Sequence, residues 1–277
     1  MPTARFAVFG HPIAHSLSPR LHALFGEQAG VALDYTAIDA PPHEFVDAVR
    51  AFFAKGGRGA NVTLPHKAAA FALADVRSAT AQRLGVANVL TPLPDGRIEA
   101  GSNDGAGMLA DMRERCGVDP HAREVLLLGA GGAARAAAFA LLDAGAVRLT
   151  IANRTPARAR ALADALAQPA RVDVTKWNAL AHRRAFDVIV NATSAGVQHA
   201  ELALPSSLVH AGTVAYDLSY GPAAEPFVAW ARVAGCAAAF DGLGMLVETA
   251  AASFERWHGV RPDVDAVLEK ISADSRP

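Results

Sequence analysis

Along the chain, apolar and polar positions alternate in two different rhythms. Residues 5–10 (Arg-Phe-Ala-Val-Phe-Gly) form a short apolar run and predict a first buried strand. Residues 19–30 predict a helix opening at Pro19, a residue suited to the first helical turn. A second helix is predicted over 43–54, where Phe45, Val46, Val49, Phe52 and Phe53 recur at helical spacing. The run Gly56-Gly57-Arg58-Gly59 predicts a break before a short strand Ala60–Leu64 that ends at Pro65. Further on, Thr91-Pro92-Leu93-Pro94-Asp95-Gly96 predicts a turn carrying the hairpin pair Asp95-Gly96, ahead of a second glycine cluster at 101–105.

From residue 123 the rhythm becomes strand, glycine turn, helix, strand, the sequence pattern of a doubly wound parallel sheet. Strands are predicted at Glu124–Leu128, Arg148–Ala152, Asp187–Asn191, Val214–Leu218 and Ala237–Phe240, with helices over 133–143 and 157–167. After Asp241, the positions Met245, Leu246, Ala250, Phe254 and Trp257 fit an amphipathic helix long enough to return to the first half. The expected fold class is α/β with two domains. Residues 1–104, completed by helices within 242–277, form an N-terminal α/β domain, and residues 105–241 form a Rossmann-type doubly wound domain.

Composition narrows the function. Of 277 residues 52% are apolar, so the chain folds, and 26 Lys plus Arg against 27 Asp plus Glu leave a net charge of −1 with no basic cluster for nucleic acid. Cys116 and Cys236 stand far apart outside any C-x-x-C pair, which indicates neither a disulfide framework nor a metal site. The N-terminus lacks an export-signal pattern and the longest apolar stretch, near 125–147, is interrupted by Arg135 and Asp143. A cytoplasmic protein without membrane, metal or nucleic-acid partner is expected, as a monomer or homodimer.

The segment Val125–Arg135 places Gly129-Ala130-Gly131-Gly132-Ala133-Ala134 between a predicted strand and a predicted helix. In this G-x-G-x-x-A turn Gly129 allows the tight bend, Gly131 lets a pyrophosphate approach the backbone, and Ala134 permits close helix–sheet packing. The free N–H groups and the positive dipole end of the helix favour an anion there. After the next strand an NAD site would carry an acidic residue for the ribose 2′-hydroxyl, whereas this chain has Asn153-Arg154-Thr155. Arg154 and Arg158 offer planar cationic forks that suit a 2′-phosphate, and Thr155 either bonds that phosphate or caps the helix. The cofactor expected is NADP(H).

In the first half, Ser16 and Ser18 put two hydroxyls just before a helix start, where they either bind a carboxylate or serve the helix cap. Lys67 follows Asn61-Val62-Thr63-Leu64-Pro65-His66, and Asp104 lies in Gly101-Ser102-Asn103-Asp104-Gly105. Brought together over one substrate hydroxyl, such a lysine and aspartate share a proton; apart, they are a surface lysine and a turn residue.

Together the blocks GHPIAHSLSP (10–19), GANVTLPHK (59–67), GAGGAA (129–134), NRTPAR (153–158), NATSAG (191–196), YDLSY (216–220) and DGLGMLV (241–247) resemble the shikimate dehydrogenase family, in the family's order and over residues 6–264. The resemblance implies an enzyme of aromatic amino acid (chorismate) biosynthesis that reduces 3-dehydroshikimate to shikimate with NADPH. It implies Lys67 and Asp104 as the catalytic pair. It places the substrate carboxylate on Ser16 and Ser18, and other substrate contacts on Asn61, Thr63, Asn88, Tyr220 and Thr249. The cofactor groove it implies takes in Thr193, Ser194, Leu218 and Gly242, with Gly244 and Met245 beside the nicotinamide. Three stretches depart from the family pattern: Thr249 replaces a glutamine, Ser102-Asn103 replaces Asn-Thr before the aspartate, and Val89 replaces a threonine. These departures leave open a dehydrogenase for quinate or another cyclic hydroxy acid, or an NADPH-binding regulatory protein.

Overall fold

A computed structural model describes residues 3–198 and 202–274. The chain divides into two compact units, Met1–Asp104 with Val247–Pro277, and Gly105–Leu246.

The first unit is built on a six-stranded sheet of β1 (Ala4–Gly10), β2 (Leu33–Asp39), β3 (Gly57–Val62), β4 (Val76–Arg77), β5 (Val89–Pro92) and β6 (Ile98–Gly101), in the order β2-β1-β3-β5-β6-β4. Strand β1 runs parallel to β2 and β3, while β3, β5 and β6 are antiparallel neighbours. The hairpin predicted at Asp95-Gly96 joins β5 to β6, with Pro92 opposite Ile98. Helices α1 (Ser18–Ala29), α2 (Phe45–Ala54), α3 (Lys67–Leu73) and α4 (Ala79–Leu84) connect the strands. Alternation along β1 sorts its side chains between two cores. Ala7 and Phe9 pack with Phe45, Val49 and Phe52 of α2 and Ala70 of α3, whereas Phe6 and Val8 pack with Ile13, Tyr35 and Trp257.

The strand predicted at 60–64 is displaced. The glycines at 57 and 59 do not break the chain: β3 begins at Gly57 and ends at Val62, earlier than the sequence pattern suggests. The reason is steric. A Cβ at Gly57 would run into the Phe52 ring, and one at Gly59 into the Trp257 indole, so these glycines let aromatic rings cross the strand at close range.

The second unit contains β7 (Glu124–Leu128), β8 (Arg148–Asn153), β9 (Val172–Lys176), β10 (Val188–Asn191), β11 (Val214–Asp217) and β12 (Ala238–Phe240), all parallel, in the order β12-β11-β10-β7-β8-β9. This is the doubly wound order in which the chain reverses between β7 and β10, where such sheets bind dinucleotides. Helix α5 (Asp104–Glu114) leads into it, and α6 (Gly132–Asp143), α7 (Pro156–Leu166) and α8 (Glu225–Ala234) are its connecting helices. The predicted strands and helices of this half fall within one residue of the observed ones. Strand β9, with the polar sequence Val-Asp-Val-Thr-Lys at the sheet edge, escaped prediction because it has no apolar run.

Helix α9 (Leu243–His258) starts in the second unit and ends in the first, followed by α10 (Val264–Asp274). In the first unit Phe254 of α9 packs edge-on to Phe25 of α1, and Trp257 stacks on Phe6 at 5.0 Å. Burying one such aromatic side chain contributes about 1.5–3 kcal/mol, which fixes this returning segment against β1. No helix among the described residues is long and apolar enough to cross a membrane.

Candidate active site

The polar residues of the first unit gather at the ends of its strands. Pro65 closes the segment after β3, and Lys67 is the first residue of α3. Asp104 opens α5 directly after β6. These two helix starts meet: Lys67 Nζ donates to Asp104 Oδ2 at 2.6 Å, with side-chain exposures of only 14% and 8%. The turn-residue and surface-lysine alternatives therefore do not describe them. Asn88, next to β5, donates from Nδ2 to Asp104 Oδ1 at 2.7 Å and accepts from Asn103 N at 2.9 Å. Both Asp104 oxygens thus accept hydrogen bonds. Beside them the Ser102 hydroxyl is buried without a hydrogen-bond partner among the described residues.

Asn61 on β3 donates to the Asn88 carbonyl at 3.3 Å and so belongs to the same cluster. The chain after β1 is tied to the chain after β3, as His11 N donates to Leu64 O at 3.0 Å and Thr63 N to Phe9 O at 2.9 Å. Ser18 is not the helix cap. It is the first residue of α1, behind Leu17, and no side chain caps this helix. The buried Ser18 donates from its backbone N to Ser16 Oγ at 3.3 Å, which brings the two serines together.

Tyr220 departs from this grouping. It belongs to the second unit, at the start of the short 3-10 turn Gly221–Ala223, while the other implied substrate contacts belong to the first. Thr249 is buried on α9, and its main-chain carbonyl accepts from Asn103 Nδ2 at 3.1 Å. Asn103, Ser253 and Tyr35 are the members of the cluster that sequence reasoning missed: Ser253 takes Asn61 Nδ2 at 2.8 Å, and Tyr35 donates to Asn61 Oδ1 at 2.7 Å. The available signal was the spacing of Ser253 one helical turn after Thr249.

In the second unit the glycine turn follows β7 and leads into α6. Gly129 has φ +111°, and a Cβ there would lie 2.7 Å from the Ala192 carbonyl, so glycine is required by the protein itself. Gly131 differs. Its φ of −84° suits any residue, and a Cβ would meet no atom within 4 Å. Nothing in the chain demands glycine at 131, whereas a pyrophosphate seated on the first N–H groups of α6, those of Gly132 and Ala133, would. The close approach of Gly129 to Ala192 and Thr193 brings the start of the Thr193-Ser194 segment to this turn.

The turn after β8 adjoins the same sheet end, since Gly129 N donates to Ala152 O at 2.8 Å. Asn153 Nδ2 holds the Thr155 carbonyl at 2.9 Å, and Thr155 occupies the cap position of α7 without using its side chain as a cap. Arg154 and Arg158 have no ion-pair partner among the described residues. Two unneutralised guanidinium groups beside an unused hydroxyl fit the 2′-phosphate of NADP. At the ends of β10 and β11, Asn191 Nδ2 donates to the buried Asp217 Oδ2 at 2.7 Å, and its Oδ1 accepts from Thr193 Oγ1 at 2.8 Å. Burial pushes the Asp217 carboxyl up to about 7. Gly242 packs against the Leu218 carbonyl. Gly244 needs its small size because the Asp111 carboxylate, bonded to Tyr216 Oη at 2.6 Å, fills the space a Cβ would take. Met245 is buried in the first turn of α9.

Three family descriptions match the chain: "Shikimate dehydrogenase substrate binding domain" over residues 8–90, "Shikimate / quinate 5-dehydrogenase" over 112–208 and "Shikimate 5'-dehydrogenase C-terminal domain" over 242–271. The shikimate dehydrogenase (NADP(+)) of Xanthomonas campestris pv. campestris (strain B100) is 54% identical over 99% of this chain and 97% of that protein. Among solved structures, an Ael1 enzyme from Pseudomonas putida is 43% identical with a TM-score of 0.86, covering 97% of this chain and 98% of that one. The shikimate 5-dehydrogenase of Thermus thermophilus, solved in complex with NADP(H) and shikimate, is 35% identical with a TM-score of 0.84, covering 96% of this chain and 98% of that one.

Proposed function

The chain belongs to the shikimate dehydrogenase family, and from that premise we propose that it interconverts 3-dehydroshikimate and shikimate with NADP(H), a step of aromatic amino acid biosynthesis. The observation that carries this reading is the largely buried Lys67–Asp104 pair at 2.6 Å, held from one side by Asn88. When bound, NADPH supplies the hydride for the ring ketone carbon. The ketone oxygen then needs one proton, and Lys67 Nζ is the group that holds one. Asp104, accepting on both oxygens, orients the lysine and keeps its charge balanced. Ser16 and Ser18 at the start of α1 take the substrate carboxylate, while Asn61, Thr63, Asn88 and Thr249 contact the ring substituents. Gly131 and the first turn of α6 hold the pyrophosphate, Arg154, Thr155 and Arg158 the 2′-phosphate, and Thr193, Ser194, Leu218, Gly242 and Met245 line the remaining groove.

Steady-state NADPH formation from shikimate and NADP, with quinate and NAD in parallel, tests the substrate and the cofactor together. Lys67→Ala removes the proton carrier; positioned acid–base groups contribute roughly 100- to 10,000-fold, so kcat falls by that order while NADP affinity stays. Turnover of Lys67→Ala near the unaltered rate rejects the role given to Lys67. Faster turnover of quinate than of shikimate transfers the proposal to the other ring acid.

A further inference from the structure

Ser253 lies on α9 with its side chain completely buried. A hydroxyl offers one proton and two lone pairs. Its proton goes to the Thr249 carbonyl at 3.0 Å, one turn back along the helix. Its lone pairs accept from Asn61 Nδ2 at 2.8 Å and from Asn103 Nδ2 at 3.1 Å. The hydroxyl is saturated, and it has no second proton for either amide. We propose that Ser253 is a positioning residue for the Lys67–Asp104 site: together with the Asn88 and Thr249 carbonyls it holds which end of each neighbouring asparagine amide faces the catalytic pair.

The consequence runs outward from the hydroxyl. Ser253 only accepts from them, and the second hydrogen of each NH2 group goes to a main-chain carbonyl, Asn88 O for Asn61 at 3.3 Å and Thr249 O for Asn103 at 3.1 Å, so both amides turn their NH2 groups towards the hydroxyl and their oxygens away. Asn61 Oδ1 then accepts from Tyr35 Oη at 2.7 Å, and burial raises the Tyr35 phenol well above the usual range, so that it remains a donor. Asn103 Oδ1 accepts from Asn88 Nδ2 at 2.6 Å, which obliges Asn88 to present its NH2 group on that side. The second hydrogen of that NH2 reaches Asp104 Oδ1 at 2.7 Å, and Asn88 Oδ1 accepts from Asn103 N at 2.9 Å. Reversing any one amide would set two oxygens or two NH2 groups face to face, at a buried site where an unmade hydrogen bond is costly. The order of donors therefore continues from Ser253 through Asn103 and Asn88 to the carboxylate. It ends with Asp104 Oδ2 left for Lys67 Nζ at 2.6 Å. Without the hydroxyl, the Asn103 NH2 group keeps only the Thr249 carbonyl and the Asn61 NH2 group only the Asn88 carbonyl, so one hydrogen of each buried amide is left unmade and the donor that Asn88 gives to Asp104 is held less firmly.

This inference rests on the reading of Lys67 and Asp104 as the catalytic pair, so the experiment has one arm that needs no turnover. In the unaltered protein with its asparagine side chains labelled by 15N, the NH2 protons of Asn61 and Asn103 should show nuclear Overhauser contacts to Ser253 Hβ and slow exchange with solvent. Absence of those contacts overturns the assigned orientation. In the kinetic arm, Ser253→Ala leaves one hydrogen of each of two buried NH2 groups without an acceptor and should lower kcat for shikimate oxidation about tenfold or more, with the KM for NADP unchanged. Ser253→Thr keeps a hydroxyl and should recover most of that loss. An unchanged kcat in Ser253→Ala, or a threonine variant as slow as the alanine one, overturns the role. Asn103→Ala, which removes the next member directly, should give a similar kcat loss, and the double variant should be no slower than the worse single one; fully multiplicative losses contradict a shared network. If the unaltered protein fails to oxidise shikimate, the functional reading fails, while the NH2 contacts still decide the orientation.

Discussion

The contrast between Gly129 and Gly131 separates what the fold needs from what the cofactor needs. Gly131→Ala places a methyl group where no protein atom lies within 4 Å, on a backbone with φ −84° that alanine adopts freely. Two small effects on stability oppose one another. Gly131 is the cap residue of α6, a position where alanine is less favourable than glycine by about 0.5–1 kcal/mol, while the less flexible unfolded chain returns about 0.4–1 kcal/mol. The folded state should therefore change by less than about 1 kcal/mol. NADP binding should not escape so lightly, because the methyl occupies the space a pyrophosphate would take above the α6 N–H groups. Crowding a close-packed contact by one methyl costs about 1–3 kcal/mol, equivalent to roughly a 5- to 150-fold rise in Kd. Gly129→Ala is the counter-case: its φ of +111° and the Ala192 carbonyl 2.7 Å away should destabilise the second unit itself. Urea unfolding and calorimetric titration with NADP on both variants make the comparison. Unchanged NADP affinity in a folded Gly131→Ala protein refutes the placement of the pyrophosphate, and instability equal to that of Gly129→Ala refutes the claim that glycine at 131 serves a ligand.

Arg154→Ala removes one charge-assisted contact to the 2′-phosphate, worth about 1.5–3 kcal/mol, so the KM for NADP should rise roughly 10- to 150-fold with little change for NAD. Equal effects on both cofactors rule out the phosphate contact. A pH effect follows from His22, which is buried, stacked on Tyr35 at 4.0 Å and depressed by burial from 6.5 to about 3. Below pH 6.5 the unfolded chain takes a proton that the folded state refuses until about pH 3. The stability this group contributes is thus complete above pH 6.5 and is lost as pH falls through that window, by roughly 1.4 kcal/mol per pH unit. The Asp217 carboxyl, raised from 3.8 to about 7, has the opposite sign and loses stability as pH rises between those values. His22→Phe should flatten the acid-side loss measured by urea unfolding from pH 7 to 5; parallel curves for the variant and the unaltered protein contradict the assignment.

How far the sequence revealed this molecule depends on the distance over which each feature is determined. The second unit was legible because its signals are local: an apolar run makes β7, three small residues turn the chain, and an alanine-rich stretch makes α6, all within Glu124–Asp143. Lys67 and Asp104 were legible as residue types, but their meeting depends on β3, β5 and β6 pairing in register, which sets the two helix starts side by side. Strand β3 was misplaced because the reason for its glycines lies elsewhere, in Phe52 and in Trp257 at the far end of the chain. Ser253 offered one local hint, its place one helical turn after Thr249. It is 192 positions from Asn61 and 150 from Asn103, and on α9 it looks like any small residue facing a core. Two of the departures from the family pattern acquire a joint account in the same place. The amide of Asn103 bonds the main-chain carbonyl of Thr249, so the first unit still has an amide at this point, supplied from the segment before α5 and not from α9. A site assembled in this way keeps its polarity only while every member of the network is present, which is why its asparagines and Ser253 must be judged together and not by their individual contacts.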